Sequence, residues 1–287
     1  MINTFIFWLQ TRRLINLVLI AGYFLFLLFM HDPLVHVSMW VEKQLSLQLY
    51  NTVVAAVFVL LVIVAGSLLL RKLLADKSNR TLKVFYLFAT LLLLFIHSRF
   101  MFDSNIEVIH SLEFTGLAFL IFPLTRRFGA TIFFTVPFML IDEWYQYTVL
   151  YPQWLDYFDL NDLMTDTYGC ALAMLTLMIL GIKGSENVKP FWQRTEFIAL
   201  ASGVVVILVL VKLCIIAPYA NQVCDNTRLL INHRLTEEPF WRPHPTHHIN
   251  FHVMKPLEAL IAIASLHLFY FGLDSFRNAP EARQENL

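Results

Sequence analysis

Three stretches of this sequence set ionisable side chains at helical spacing inside apolar runs. Glu107, His110 and Glu113 recur every third residue and so share one helical face. Asp142, Glu143 and Gln146 stand in Ile141-Asp142-Glu143-Trp144-Tyr145-Gln146, with Glu143 and Gln146 one turn apart. Asp159, Asp162 and Asp166 lie at i, i+3 and i+7, and Gly169 follows. Carboxylates gathered at one depth repel each other, so some must be protonated, paired with a cationic side chain or bound to a cation. The expected polar core is His110, Glu113, Asp142, Glu143, Gln146, Asp159, Asp162 and Asp166, with Asp142 and Glu143 as candidates for acid–base work. A fourth stretch runs Phe240-Trp241-Arg242-Pro243-His244-Pro245-Thr246-His247-His248-Ile249-Asn250-Phe251-His252. If that stretch is helical, His248 and His252 share a face, and with His110 they make an acceptable zinc set. The plainer reading is a set of solvated helix ends, in which Asp159 or Asp162 caps a helix and the histidines cluster in a surface loop.

Most of the chain is built to hold such groups in a membrane. Of its 287 residues 58% are hydrophobic and only 15% charged, where a soluble domain carries about 25% charged residues. Net charge is zero, which gives no sign of a nucleic-acid partner. The three cysteines have no paired spacing and imply no disulfide framework. A spanning helix needs roughly 20 mostly apolar residues. Runs of that kind cover 14–30, 52–70, 82–102, 106–124, 129–149, 160–181, 197–218 and 253–276. Pro137 lies inside the fifth, where a kink is expected. The first run follows Arg12 and Arg13 but leads into His31-Asp32-Pro33, without the small residues of a cleavage site.

Lys and Arg of short connections set orientation. Arg12 and Arg13, the group from Arg71 to Lys83, Arg126 and Arg127, then Lys183, Lys189 and Arg194, and finally Arg277 and Arg283 all fall on one side if there are eight spans. The expectation is an all-α polytopic membrane bundle of about eight transmembrane helices in the cell inner (cytoplasmic) membrane, both termini cytoplasmic. Its parts are an N-terminal helix pair (1–80), a four-helix core (81–183), and a C-terminal pair (184–287) with an extracytoplasmic His-rich loop at 219–252. The acidic stretches then gather at the extracytoplasmic helix ends. Ionisable groups within spans are costly and usually face the bundle interior.

From residue 106 to 173 the chain resembles the VanZ-like membrane family. The resemblance rests on Ile109-His110-Ser111-Leu112-Glu113-Phe114, on Asp142-Glu143-Trp144-Tyr145-Gln146, and on Asp162-Leu163-Met164-Thr165-Asp166-Thr167-Tyr168-Gly169. Two positions depart from the family pattern. Asp166 stands where Asn is usual, and the Arg usual between the Gln and Asp motifs is replaced by Tyr151-Pro152-Gln153. The resemblance implies an outward-facing site and a cell-envelope role linked to resistance to the glycopeptide antibiotic teicoplanin; it implies no reaction. Separately, His-x-x-x-His before the last span is similar to one motif of the ceramidase and adiponectin-receptor-like membrane hydrolases.

Three functions follow as alternatives. The first is a VanZ-like envelope protein that meets membrane lipids, a lipid-linked cell-wall precursor or an amphiphilic antibiotic. The second is a metal-dependent lipid hydrolase, with zinc on His110, His248 and His252 and Asp142 or Glu143 as general base. The third is a proton-coupled transporter. No P-loop, dinucleotide fingerprint, Gly-x-Ser-x-Gly or Cys-x-x-Cys occurs.

Overall fold

A computed structural model describes residues 2–75, 79–102, 107–152, 155–185, 189–235, 239–243 and 250–275. They form ten α-helices: α1 (Ile2–Thr11), α2 (Arg13–Leu45), α3 (Leu47–Ala75), α4 (Arg80–Phe100), α5 (Val108–Thr125), α6 (Phe128–Phe134), α7 (Val136–Tyr145), α8 (Leu160–Ile179), α9 (Thr195–Lys212) and α10 (Pro256–Phe271). The strands are two-residue pairs only: β1 (Ile216–Ala217) beside β2 (Leu229–Leu230), and β3 (Arg242–Pro243) antiparallel to β4 (Asn250–Phe251). Among the described residues, six helical segments are long and apolar enough to cross a membrane: those of α2, α3, α4, α5, α9 and α10 with its following turn.

The fifth and sixth apolar runs are helical but stand outside those six. The fifth is split into α6 and α7 at Thr135, and a π-helical turn over Gln146–Leu150 continues it. The expected kink thus falls two residues before Pro137. The proline ring has no N–H to give the preceding turn, and at the break the Thr135 hydroxyl donates to the Ile132 carbonyl at 2.6 Å. The sixth run, α8, carries too much polar character to read as a lipid-facing span. It is instead the most enclosed helix, buried from Leu163 to Ala171 without interruption.

α5 packs more extensively on α8 than any other helix pair packs. Gly169 sets their separation: a Cβ there would run into the backbone of Ser111. Thr115 uses this approach to donate across the helices to the Gly169 carbonyl at 2.8 Å. Cys170 is fully buried at the same seam and reaches the Phe114 carbonyl at 3.4 Å. Around this pair stand α2, α4, α6, α7 and α10. α3 and α9 are peripheral, with Val57, Leu60, Ile63, Val205 and Leu208 about half exposed or more. Leu and Val on that scale do not face water without cost.

Two features of the N-terminal region go beyond the expectation. α1 is a short amphipathic helix that buries Ile6 and Leu9 and leaves Phe5, Phe7 and Trp8 exposed. α2 does not stop at Met30; it runs through Pro33 to Leu45, about 50 Å at 1.5 Å per residue. A hydrocarbon core is about 30 Å thick, so the last turns of α2 extend past the apolar run that begins it. Ser46 then turns the chain with φ 69°, and Ser38 and Tyr50 join their hydroxyls across the α2–α3 hairpin at 2.5 Å.

At the end of the bundle away from the acidic stretches, three segments are tied by charge. Arg127 donates twice to the fully buried Glu196 at 2.9 and 2.8 Å. Asp274 accepts from the Gly129 and Ala130 backbone N–H groups at 3.0 Å each, satisfying the first turn of α6. Arg194 donates to the Phe271 carbonyl at 3.0 Å and to the Ser275 hydroxyl at 3.1 Å.

Candidate polar site at one end of the bundle

The three acidic stretches do converge. α5 presents His110 and Glu113, α7 and its π turn present Asp142, Glu143 and Gln146, and α8 presents Asp162 and Asp166. His110 is the centre of the group. Its Nε2 lies 3.7 Å from Asp162, and its Nδ1 lies 3.9 Å from both Glu113 and Asp166. These are ion-pair distances beyond hydrogen-bond reach. Accordingly, His110 Nδ1 and Asp166 Oδ1 are buried without a hydrogen-bond partner among the described residues. Asp166 is 2% exposed and His110 7%.

Other members have structural duties. Gln146 donates its amide to Asp142 at 3.1 Å, the i, i+4 relation that one helical turn provides. Glu143, also 2% exposed, accepts from the backbone N–H of Asp159 at 2.8 Å, which ties α7 to the segment leading into α8. Asp159 caps α8, its carboxylate accepting from Asn161 N–H at 2.9 Å. The capping role is therefore real for Asp159, while Glu113, Asp142 and Asp166 lie inside helices and cap nothing. Glu113, Asp142, Glu143 and Asp166 have no Lys or Arg paired with them among the described residues. Tyr151, at the end of the π turn, donates its phenol to Asp32 at 3.2 Å. Burial first, and Asp32 second, hold that phenol's pKa above its ordinary value, so it remains a donor.

The extension of α2 brings residues that spacing had not singled out. The His31 ring lies 5.7 Å from that of His110 and 6.1 Å from that of Tyr151. The signal for them was present: His31-Asp32 directly follows the first apolar run, at the same end as the acids. Tyr23, two turns earlier, donates to the Glu113 carbonyl at 2.9 Å and fills the notch left by Gly116.

Of the expected zinc set, His252 stands apart from His110. His252 precedes α10 in β4's continuation and is not helical, because α10 begins only at Pro256. Its Nδ1 lies 2.7 Å from the Phe240 carbonyl and its Nε2 3.0 Å from both oxygens of Glu258. Its ring stacks on Phe240 at 3.9 Å. Both nitrogens are thus engaged away from His110. His248 lies outside the described residues. Among the described residues no group of three or more His, Cys, Asp or Glu is arranged to hold a metal ion.

The loop does close over this end of the bundle. Tyr147 donates to the Leu230 carbonyl at 2.8 Å, Phe158 N–H to Ile231 at 2.7 Å, and His233 N–H to Asp156 at 2.8 Å. Asn161 fastens the other strand pair, donating to His252 O at 3.0 Å and accepting from Met254 N–H at 3.1 Å. A helical bundle with a carboxylate–imidazole cluster under a loop cap is the class of protein this defines. No family model, no curated protein and no solved structure matches the chain.

Proposed function

We propose that this chain is a VanZ-like, multi-pass protein of the cytoplasmic membrane whose extracytoplasmic polar cluster binds the donor-bearing headgroup of an amphiphile. The six apolar segments, with α6–α7 and α8 between them, support eight passes with both termini cytoplasmic. The clustering of Lys and Arg in alternate connections supports the same orientation. The ligand classes are a membrane lipid, a lipid-linked cell-wall precursor or an amphiphilic antibiotic of the glycopeptide type.

The observation that carries the proposal is the unpartnered pair inside the cluster, His110 Nδ1 and Asp166 Oδ1. A buried polar atom without a partner costs about 1–3 kcal/mol, more when charged. Ionised carboxylates only accept hydrogen bonds. A group that brings N–H or O–H donors, such as an ammonium or a sugar hydroxyl, satisfies several of them at once. The hydrolase alternative loses support, because it needs His252 as a ligand and that imidazole serves Phe240 and Glu258.

Expression in a teicoplanin-susceptible bacterium tests the antibiotic arm. The expected result is at least a fourfold rise in the inhibitory concentration, abolished by Asp166→Ala with unchanged protein level in the membrane. Unchanged susceptibility contradicts that arm and leaves lipids and wall precursors as the ligand class.

A further inference from the structure

Spacing in the sequence pairs none of the three cysteines, but the root of the loop cap brings two of them together. α9 ends in a Schellman turn: the Cys214 N–H donates to the Val211 carbonyl at 3.0 Å and the Ile215 N–H to the Leu210 carbonyl at 2.9 Å. Cys214 therefore occupies the left-handed position of that turn, with φ 56°. Glycine is the usual residue there, because a Cβ makes the conformation costly. The backbone thus gives no reason for a cysteine at 214, and the side chain has to supply one.

The chain then comes back on itself. Thr227 joins the two cysteines, donating its hydroxyl to the Cys214 carbonyl at 3.1 Å and accepting from the Cys224 N–H at 2.9 Å. The Thr227 N–H closes a tight turn on the Cys224 carbonyl at 3.0 Å. Arg228 and Leu229 both donate their N–H groups to the Ile215 carbonyl, at 2.9 and 3.2 Å, and β1 pairs with β2 directly afterwards. One hydroxyl thereby fixes the backbones at 214 and 224 beside each other. The two thiols hydrogen-bond each other as well, which raises the pKa of Cys224. Cys224 is exposed and Cys214 half-buried, and both are free thiols. Cys170 is enclosed at the α5–α8 seam.

We propose that Cys214 and Cys224 form a disulfide that staples the root of the loop cap. The pairing rests on the proposed orientation, which puts this loop on the extracytoplasmic side, where disulfides persist. The oxidant is a dithiol oxidase of that compartment in its disulfide form. Exposure rather than acidity brings Cys224 to it first. The Cys224 thiolate attacks one sulfur of the donor disulfide; a mixed disulfide forms and the donor's other sulfur leaves as a thiolate. The Cys214 thiolate then attacks the Cys224 sulfur of that mixed disulfide and expels the donor's second sulfur. The two protons lost by the cysteines end on the two donor thiolates, so this chain gives up two electrons and the donor gains them. The bridge closes residues 215–223 into a loop. The segment just beyond it receives Tyr147 at the Leu230 carbonyl and Phe158 at that of Ile231, over the polar cluster.

The test traps thiols in bacteria that express the full chain. Acid quenching and N-ethylmaleimide block every free thiol under denaturing conditions; reduction and a polyethylene-glycol maleimide then count the thiols that had been bridged. Two additions are expected for the parent and none for Cys214→Gly or Cys224→Ser. Cys214→Gly suits the left-handed turn, so it separates loss of the bridge from loss of the fold. Its unfolding temperature in detergent should not respond to reduction, whereas the parent's should fall by about 5 °C. Additions that persist in Cys214→Gly, or a parent from cells that takes none, overturn the proposal. In the second case purified parent protein shows which part failed: a bridge closed by oxidised glutathione puts the error in the orientation, and thiols that stay free put it in the pairing.

Discussion

Gly169→Val is expected to destabilise the protein by about 3 kcal/mol or more and to abolish the polar cluster with it. Overpacking a core costs typically 1–3 kcal/mol when side chains can shift. Here the obstacle is the backbone of Ser111, not a movable side chain. α5 and α8 would have to separate, which breaks the Thr115 bond to the Gly169 carbonyl and carries His110 away from Asp162 and Asp166. Thermal unfolding in detergent measures the effect. Gly22→Ala is the control, since nothing lies within 4 Å of a Cβ at Gly22. It should be neutral or slightly stabilising, because Gly in a helix interior costs about 0.5–1 kcal/mol relative to Ala. A Gly169→Val protein as stable as the control would refute the close α5–α8 approach.

Arg127→Ala should be comparably severe, at about 3–5 kcal/mol, the cost of leaving a buried charge uncompensated. Glu196 is fully buried and takes two hydrogen bonds from that guanidinium. The same reasoning gives a sharper expectation for the pair. Arg127→Ala combined with Glu196→Ala should recover much of the loss, because neither charge then remains inside. Unfolding transitions of the two single variants and the double variant close this cycle. A double variant no more stable than Arg127→Ala would show that Glu196 does not depend on Arg127.

The contrast between Asp166 and His252 shows what spacing conveys and where it fails. Residues three and four apart meet only if the segment is helical. For Asp162 and Asp166 that condition holds, since α8 begins at Leu160 with Asp159 as its cap, and both carboxylates meet His110. For His252 it fails, because Pro256 opens α10 and residues 250–251 pair as a strand with 242–243. The proline was the available signal: Pro favours the first turn of a helix, where its missing N–H is not needed. Each of the eight apolar runs contains helix, because apolar composition of that length leaves few alternatives, although the seventh leaves it after Lys212 and pairs Ile216–Ala217 as β1. α1 escaped notice because ten residues are too few to span, and its apolar stripe is only Ile6 and Leu9 deep. His31 was legible only as a polar residue closing the first apolar run; that its ring lies 5.7 Å from that of His110 follows from the packing of α2 on α5, which spacing does not convey.

Donor recognition by the His110 cluster is read out by lipid retention in detergent. Phosphatidylethanolamine and phosphatidylcholine share a phosphodiester, but only ethanolamine carries N–H donors. At least tenfold greater retention of phosphatidylethanolamine by the parent protein is expected. That preference should vanish in Asp166→Asn, with the unfolding temperature in detergent unchanged. Equal retention of the two lipids by the parent, or a preference that survives Asp166→Asn and His110→Ala alike, would contradict donor recognition there.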